Sequence, residues 1–176
     1  MRCQQYSLVL ALLSLSVAVS ARAQSGTWGM GVGVAAPTGE YSTHDKAGWH
    51  ASATYTPVRF GPAVDLRIDA LYGRTPRKTT GAAASQVFGL GAALLAHPSR
   101  SVTAHPYVLA GIGYYELEEG GLGGVSSTPT SGIAIIGGAG ISVPAGGPHV
   151  FLEARFIGGP VKNGVNFVAV TLGISF

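Results

Sequence analysis

Beyond Gln24 the chain alternates stretches of about ten apolar and small residues with Gly/Pro/polar breaks, one unit roughly every twenty residues. Eight units run approximately Thr27 to Ala36, Gly48 to Val58, Ala63 to Tyr72, Ser85 to Ala96, His105 to Glu116, Ser131 to Val143, His149 to Phe156 and Asn166 to Phe176. Apolar residues recur at every second position, the period of a strand. In the first unit Trp28, Met30, Val32 and Val34 oppose Thr27, Gly29, Gly31 and Gly33; in the second, Ala51, Ala53 and Tyr55 oppose His50, Ser52 and Thr54. In the third, Val64, Leu66, Ile68, Ala70 and Tyr72 oppose Asp65, Arg67 and Asp69. In the last, Val168, Val170, Leu172, Ile174 and Phe176 oppose Phe167, Ala169, Thr171, Gly173 and Ser175. A soluble sandwich or lipocalin also alternates, but keeps its bulky face inside and its charge outside. Here the bulky faces are nearly free of charge and the ions sit on the small faces. The pattern predicts an all-β chain, an eight-stranded antiparallel up-and-down transmembrane barrel with strands long enough to cross a bilayer at a tilt.

Aromatic residues collect near the ends of these units: Trp28 opens the first, Trp49 and Tyr55 bracket the second, and Tyr72 closes the third. Tyr107 and Tyr114 bracket the fifth unit, and Phe151 and Phe156 the seventh. Trp and Tyr favour the boundary between membrane and water, so Trp28, Trp49, Tyr55, Tyr72, Tyr107, Tyr114 and Phe156 are expected to form two interface belts. The connections Pro37 to Lys46, Gly73 to Ala84 and Leu117 to Thr130 are long, whereas Arg59 to Pro62 and Pro144 to Pro148 are tight. Long loops outside and short turns inside are usual for outer-membrane barrels. His97 to Ala104, nominally a turn, is about as long as Gly158 to Val165, nominally a loop.

The first residues are of a different kind. Arg2 precedes an apolar run from Leu8 to Val19, and Ala21-Arg22-Ala23 follows. That order predicts a secretory signal peptide over residues 1–23, cleaved after Ala23, with the barrel domain over residues 24–176. Arg2 and Arg22 would leave with it, and the formal net charge of +3 would fall to +1. The lone Cys3 would leave too, removing any disulfide, thiol nucleophile or Cys-ligated metal. Glycine, 27 of 176 residues, is about twice its usual share, while charged residues reach only 11% against a usual quarter. Those proportions exclude an ordinary helical domain, a disordered chain and a phosphate-tracking nucleic-acid binder.

Little in the chain is catalytic in pattern. His50 and Ser52 share a face that Glu153 could reach across the lumen, a formal Ser-His-Glu set. The glycines at 29, 31 and 33, and at 89 and 91, lie inside strands with no strand-to-helix junction, so they are no phosphate cradle. They make room in a barrel that barely holds its own side chains. His97, His105 and His149 fall at the turn-side rim of different strands and read as solvated histidines, not metal ligands. The expected sites therefore include no catalytic residue, cofactor or metal. The informative chemistry is ionic: Asp65, Arg67 and Asp69 on the third strand and Glu153 and Arg155 on the seventh would meet in the lumen, costly if unpaired and able to lock the barrel if paired.

Pro106-Tyr107-Val108-Leu109-Ala110-Gly111-Ile112-Gly113-Tyr114, Gly137-Gly138-Ala139-Gly140-Ile141, Leu152-Glu153-Ala154-Arg155-Phe156 and the terminal strand carry a resemblance. The chain resembles the small eight-stranded outer-membrane β-barrel proteins of Gram-negative bacteria, the OmpA/OmpX-like and opacity-protein-like group, over essentially the whole mature length. The resemblance implies that Phe176, with Ile174, Leu172 and Val170 before it, is the signal read by the barrel-assembly machinery. It implies an integral outer-membrane location and contact with outer-membrane lipid and lipopolysaccharide. No OmpA-like peptidoglycan-binding domain is expected after the barrel. The His-x-Ser is only loosely similar to that of outer-membrane lipid A deacylases, where it comes late, precedes Asn and points to lipid. The expected role is non-enzymatic: a scaffold whose outer loops serve surface interaction or adhesion. A narrow channel for small solutes and a lipid-modifying enzyme are the alternatives. Loop three, with Glu116, Glu118, Glu119, Gly120-Gly121, Gly123-Gly124 and Ser126-Ser127, is acidic at its base; loop two, with Arg74, Arg77 and Lys78, is basic and suited to anionic lipopolysaccharide or a partner.

Overall fold

Alternation over nine to fifteen residues, broken by Gly/Pro turns and by a register shift in the second strand between Tyr55 and Val58, yields eight strands in a computed structural model that describes residues 26–98, 103–123, 128–159 and 166–176. They are β1 (Thr27–Pro37), β2 (Gly48–Phe60), β3 (Val64–Thr75), β4 (Ser85–Ala96), β5 (His105–Glu118), β6 (Thr130–Pro144), β7 (His149–Gly158) and β8 (Phe167–Ser175). A one-turn helix, α1 (Tyr41–His44), lies between β1 and β2. Each strand pairs antiparallel with the next, and β1 closes on β8 through pairs such as Met30 with Ile174 and Val34 with Val170. Closure satisfies both ladders of every strand and leaves no edge. The leader, residues 1–23, lies outside the described residues, as do parts of three connections.

Register fixes which side chains point in, because a slip of one residue would exchange the faces. Outward stand Met30, Val32, Val34, Ile68, Leu90, Leu94, Ile112, Leu152 and Leu172, all exposed, and the wall is apolar around the circumference. Inward, at the end holding the short turns, lie Asp65, Arg67, Tyr107, Phe151 and Glu153; the middle holds Asp69, Arg155 and Thr171. Above them Leu71, Val87, Tyr115, Ile136, Ile157 and Phe167 form an apolar plug, with Tyr115 and Phe167 in edge contact at 6.4 Å. Glycine makes this filling possible: a Cβ on Gly89 would collide with the Tyr115 ring, and one on Gly140 with the Tyr107 ring.

Strands extend further than the pattern predicts at the loop end. β3 runs to Thr75 and β5 to Glu118, so Arg74, Glu116 and Glu118 belong to strands and not to loops. Ladder pairing outlasts hydrophobic alternation there, because polar side chains can follow the same pleat once the wall rises past the apolar zone.

Candidate functional site

The lumen ions come from two strands on opposite walls. In β3, Arg67 and Asp69 are two residues apart and so share the inner face; in β7, Glu153 and Arg155 do the same. Arg67 grips Glu153 with both terminal nitrogens, Nη1 to Oε2 at 2.7 Å and Nη2 to Oε1 at 3.0 Å. Its Nε lies 3.0 to 3.2 Å from the Asp69 carboxylate oxygens. Arg155 Nη1 donates to Asp69 Oδ1 at 3.0 Å, and its Nε stands 3.5 Å from Glu153 Oε1. Two guanidiniums and two carboxylates thus alternate in a neutral ring tying β3 to β7 across the barrel. All four residues are buried. Asp65, expected in the same cluster, sits nearer the turn end and accepts from or shares a proton with His97 Nε2 at 3.0 Å.

The aromatic belt is corrected at Tyr107. Tyr107 is 5% exposed and faces inward, donating its hydroxyl to Glu153 Oε2 at 2.9 Å. Tyr107 has the parity of Leu109 and Tyr115, while Val108, Ile112 and Tyr114 face out. Phe151 is buried for the same reason, having the parity of Glu153 and not of Phe156. Trp28 and Tyr55 do stand on the outer wall, stacked at 4.3 Å near the turn end. Trp49 and Tyr72 meet edge-on at 5.7 Å near the loop end, where Tyr114 donates to Ser131 Oγ and Phe156 is exposed.

The loop end is closed by a latch that the sequence pattern does not announce. Asp45 and Arg77 form an isolated antiparallel bridge beyond the ends of β2 and β3, one residue out of the register of that ladder. Arg77 Nη1 reaches Asp45 Oδ2 at 2.9 Å and Glu119 Oε2 at 3.3 Å, joining the β1–β2, β3–β4 and β5–β6 connections. Thr75 donates to Asp45 Oδ1 and shares a 2.6 Å hydrogen bond with the Tyr41 hydroxyl; Lys78 Nζ donates to the Ser42 carbonyl. Burial pushes the Tyr41 phenol up to about 12, the dominant effect, with Asp45 and Glu119 adding to it and Thr75 and Arg77 opposing it. Simple continuation of the β2–β3 register would set Lys46 opposite Arg77, so Asp45 meets it only through a one-residue shift that the sequence pattern does not mark.

The formal catalytic set does not assemble. Glu153 is engaged by Arg67 and Tyr107, and His50 Nε2 bonds Thr171 Oγ1 at 2.8 Å. Both His50 and Ser52 are buried in the lumen wall. At the turn end a vestibule of about 250 Å³ opens beneath the ionic ring, with Arg67, Tyr107 and Phe151 in its walls and His97, His105 and His149 among its lining. The described residues contain no group of three or more His, Cys, Asp or Glu able to hold a metal.

Similarity to known proteins agrees with this geometry. The family model described as outer membrane protein beta-barrel domain matches residues 7–176. Among solved structures, Neisserial surface protein A is similar at 16% identity over 85% of this chain and 93% of that one, with a TM-score of 0.60. Ail, the attachment invasion locus protein of Yersinia pestis, is similar at 14% identity over 88% and 100%, with a TM-score of 0.58. The outer membrane enzyme PagL is similar at 13% identity over 86% and 99%, with a TM-score of 0.51. No curated protein matches by sequence. One fold thus carries surface proteins and an enzyme, so activity must be argued from the lumen and loops. The chain belongs to the outer membrane protein beta-barrel domain family, and is an integral eight-stranded barrel of the bacterial outer membrane.

Proposed function

We propose that this barrel is a closed, non-enzymatic scaffold whose loop end faces the exterior and serves surface interaction or adhesion. The observation that carries the reading is the obstruction of the lumen at three levels: the ionic ring, the Tyr115–Phe167 plug and the Asp45–Arg77–Glu119 latch. A solute would have to break paired buried charges and displace packed apolar side chains, which argues against a conduit. The engagement of Glu153 by Arg67 argues against a Ser-His-Glu enzyme.

Arg77 and Lys78 are occupied in holding the loops together, which leaves Arg74 and Lys46 as the exposed cations above the Trp49–Tyr72 pair. With the loop end outward, they would meet the phosphates of lipopolysaccharide. At the opposite end Phe176, exposed and paired through its backbone with Trp28, suits recognition by the barrel-assembly machinery. The domain division, a leader over residues 1–23 and a barrel over 24–176, belongs to the same proposal. The test combines three measurements on one preparation: planar-bilayer recording, lipid A analysis in cells with and without the gene, and binding of producing cells to host-cell or matrix surfaces. Silence in the first two with loop-dependent binding in the third is expected. Steady conductance would instead make it a channel, and altered lipid A an enzyme.

A further inference from the structure

His105 and His149 stand on strands separated by β6, yet their rings come together at the turn-end rim. The register explains the approach. His105 lies opposite Ser142 of β6, and His149 opposite Pro144, so only short or compact side chains stand between the two imidazoles on the inner face. Their ring centroids are 5.5 Å apart with 37° between the planes. Neither ring takes part in a hydrogen bond or ion pair among the described residues, in contrast to His97 and His50, which hold Asp65 and Thr171. Both line the vestibule of about 250 Å³, which leaves room for water beside them.

That separation leaves room for one ion shared by the two rings. With a metal–nitrogen bond of about 2.05 Å and an imidazole radius of about 1.15 Å, two histidines on a tetrahedral ion have ring centroids about 5.2 Å apart, against about 4.5 Å for adjacent positions of a square-planar ion. The observed 5.5 Å lies next to the tetrahedral value. We propose that His105 and His149 bind a zinc-type divalent cation in the vestibule, two positions being filled by the imidazoles and two by water. The ion would tie β5 to β7 across the intervening β6, a clamp at the end of the barrel opposite the loop latch. Asp65 in the same vestibule is engaged by His97, and Arg59 and Arg67 also line it, so the imidazoles themselves and not the surrounding charge would hold the ion.

The experiment uses tag-free full barrel folded in detergent, stripped with chelator and titrated with zinc(II) by calorimetry near neutral pH. One saturable equivalent is expected for the wild type. His105→Ala and His149→Ala should each weaken binding by about tenfold or more, and His44→Ala, at an exposed histidine of α1 at the opposite mouth, should leave it unchanged. Unboiled gel mobility identifies variants that have folded, and only those are compared. As a second readout, excess zinc(II) should raise the thermal midpoint of the wild type and of His44→Ala but not of the double variant His105→Ala/His149→Ala, since an ion that binds only the folded state stabilises it by mass action. Absence of saturable binding by the wild type, or undiminished binding by the folded double variant, overturns the proposal. Neither result bears on conductance or on loop-mediated binding.

Discussion

Arg67 is the hub of the lumen ring, and replacing it by Met tests whether that ring holds the barrel. The substitution keeps an unbranched apolar stem and removes the charge, leaving Asp69 and Glu153 against Arg155 alone, so the ring passes from neutral to a net charge of −1. Asp69 keeps Arg155 Nη1 at 3.0 Å; Glu153 keeps the Tyr107 hydroxyl at 2.9 Å and a looser approach from Arg155 Nε at 3.5 Å. Removing one partner of a buried ion pair costs about 3–5 kcal/mol. The remaining donors and the vestibule that Arg67 itself borders, from which water can reach Glu153, put the expected loss at the lower end, about 3 kcal/mol. That is roughly a 150-fold change in the folding constant. The assay is the urea dependence of unboiled gel mobility, with fluorescence of Trp28 and Trp49 as an independent probe. The midpoint should fall at an unchanged slope, and Arg67→Met/Glu153→Gln should recover part of the loss because the amide needs no countercharge. The wild type should show no steady conductance and the single variant an intermittent leak. A loss for Arg67→Met below about 0.5 kcal/mol, the scale of an ordinary surface change, would refute the ring as a structural lock.

Arg77→Met should loosen the loop end alone: Asp45, fully buried, keeps only the Thr75 hydroxyl, so tryptic cleavage at Lys46 and Lys78 should accelerate while the urea midpoint of the barrel stays within about 0.5 kcal/mol. Unchanged cleavage rates would remove the latch. Because burial raises the Tyr41 phenol from 10.0 to about 12, its contribution to the closed cap is complete below pH 10 and is lost as pH climbs through 12. The alkaline ultraviolet difference between wild type and Tyr41→Phe should therefore show one late-titrating phenol, and a midpoint near 10 would contradict the buried cap. Deleting Phe176 should lower the amount assembled in the outer membrane several-fold without lowering synthesis, as read by fractionation and immunoblot; normal assembly would deny it a signalling role. Intact mass of the membrane-extracted chain should lack residues 1–23, and a retained leader would contradict cleavage after Ala23.

What the sequence made legible depended on how local the determining physics was. Alternation is local, so the eight strands and their inner and outer faces could be read directly, and a lumen cluster of Asp65, Arg67, Asp69, Glu153 and Arg155 could be expected, but not which of them pair or that Asp65 stands apart with His97. Tyr107 was misassigned because nearness to a strand end was allowed to outweigh parity: its neighbours Leu109 and Tyr115 share its inward face, and the hydroxyl that suggested an interfacial residue is used on Glu153. The latch and the histidine pair escaped for another reason. Asp45 meets Arg77, and His105 meets His149, only when the stagger of neighbouring strands is known, and stagger accumulates around the whole barrel. A barrel thus divides its information unevenly. Its wall is written in a period of two that any lipid-facing strand must obey, whereas the chemistry at its two mouths is written in register, which no single strand contains. The surface role proposed for this chain rests on its mouths. That is why the residues to alter first are Arg77 at one end and His105 and His149 at the other.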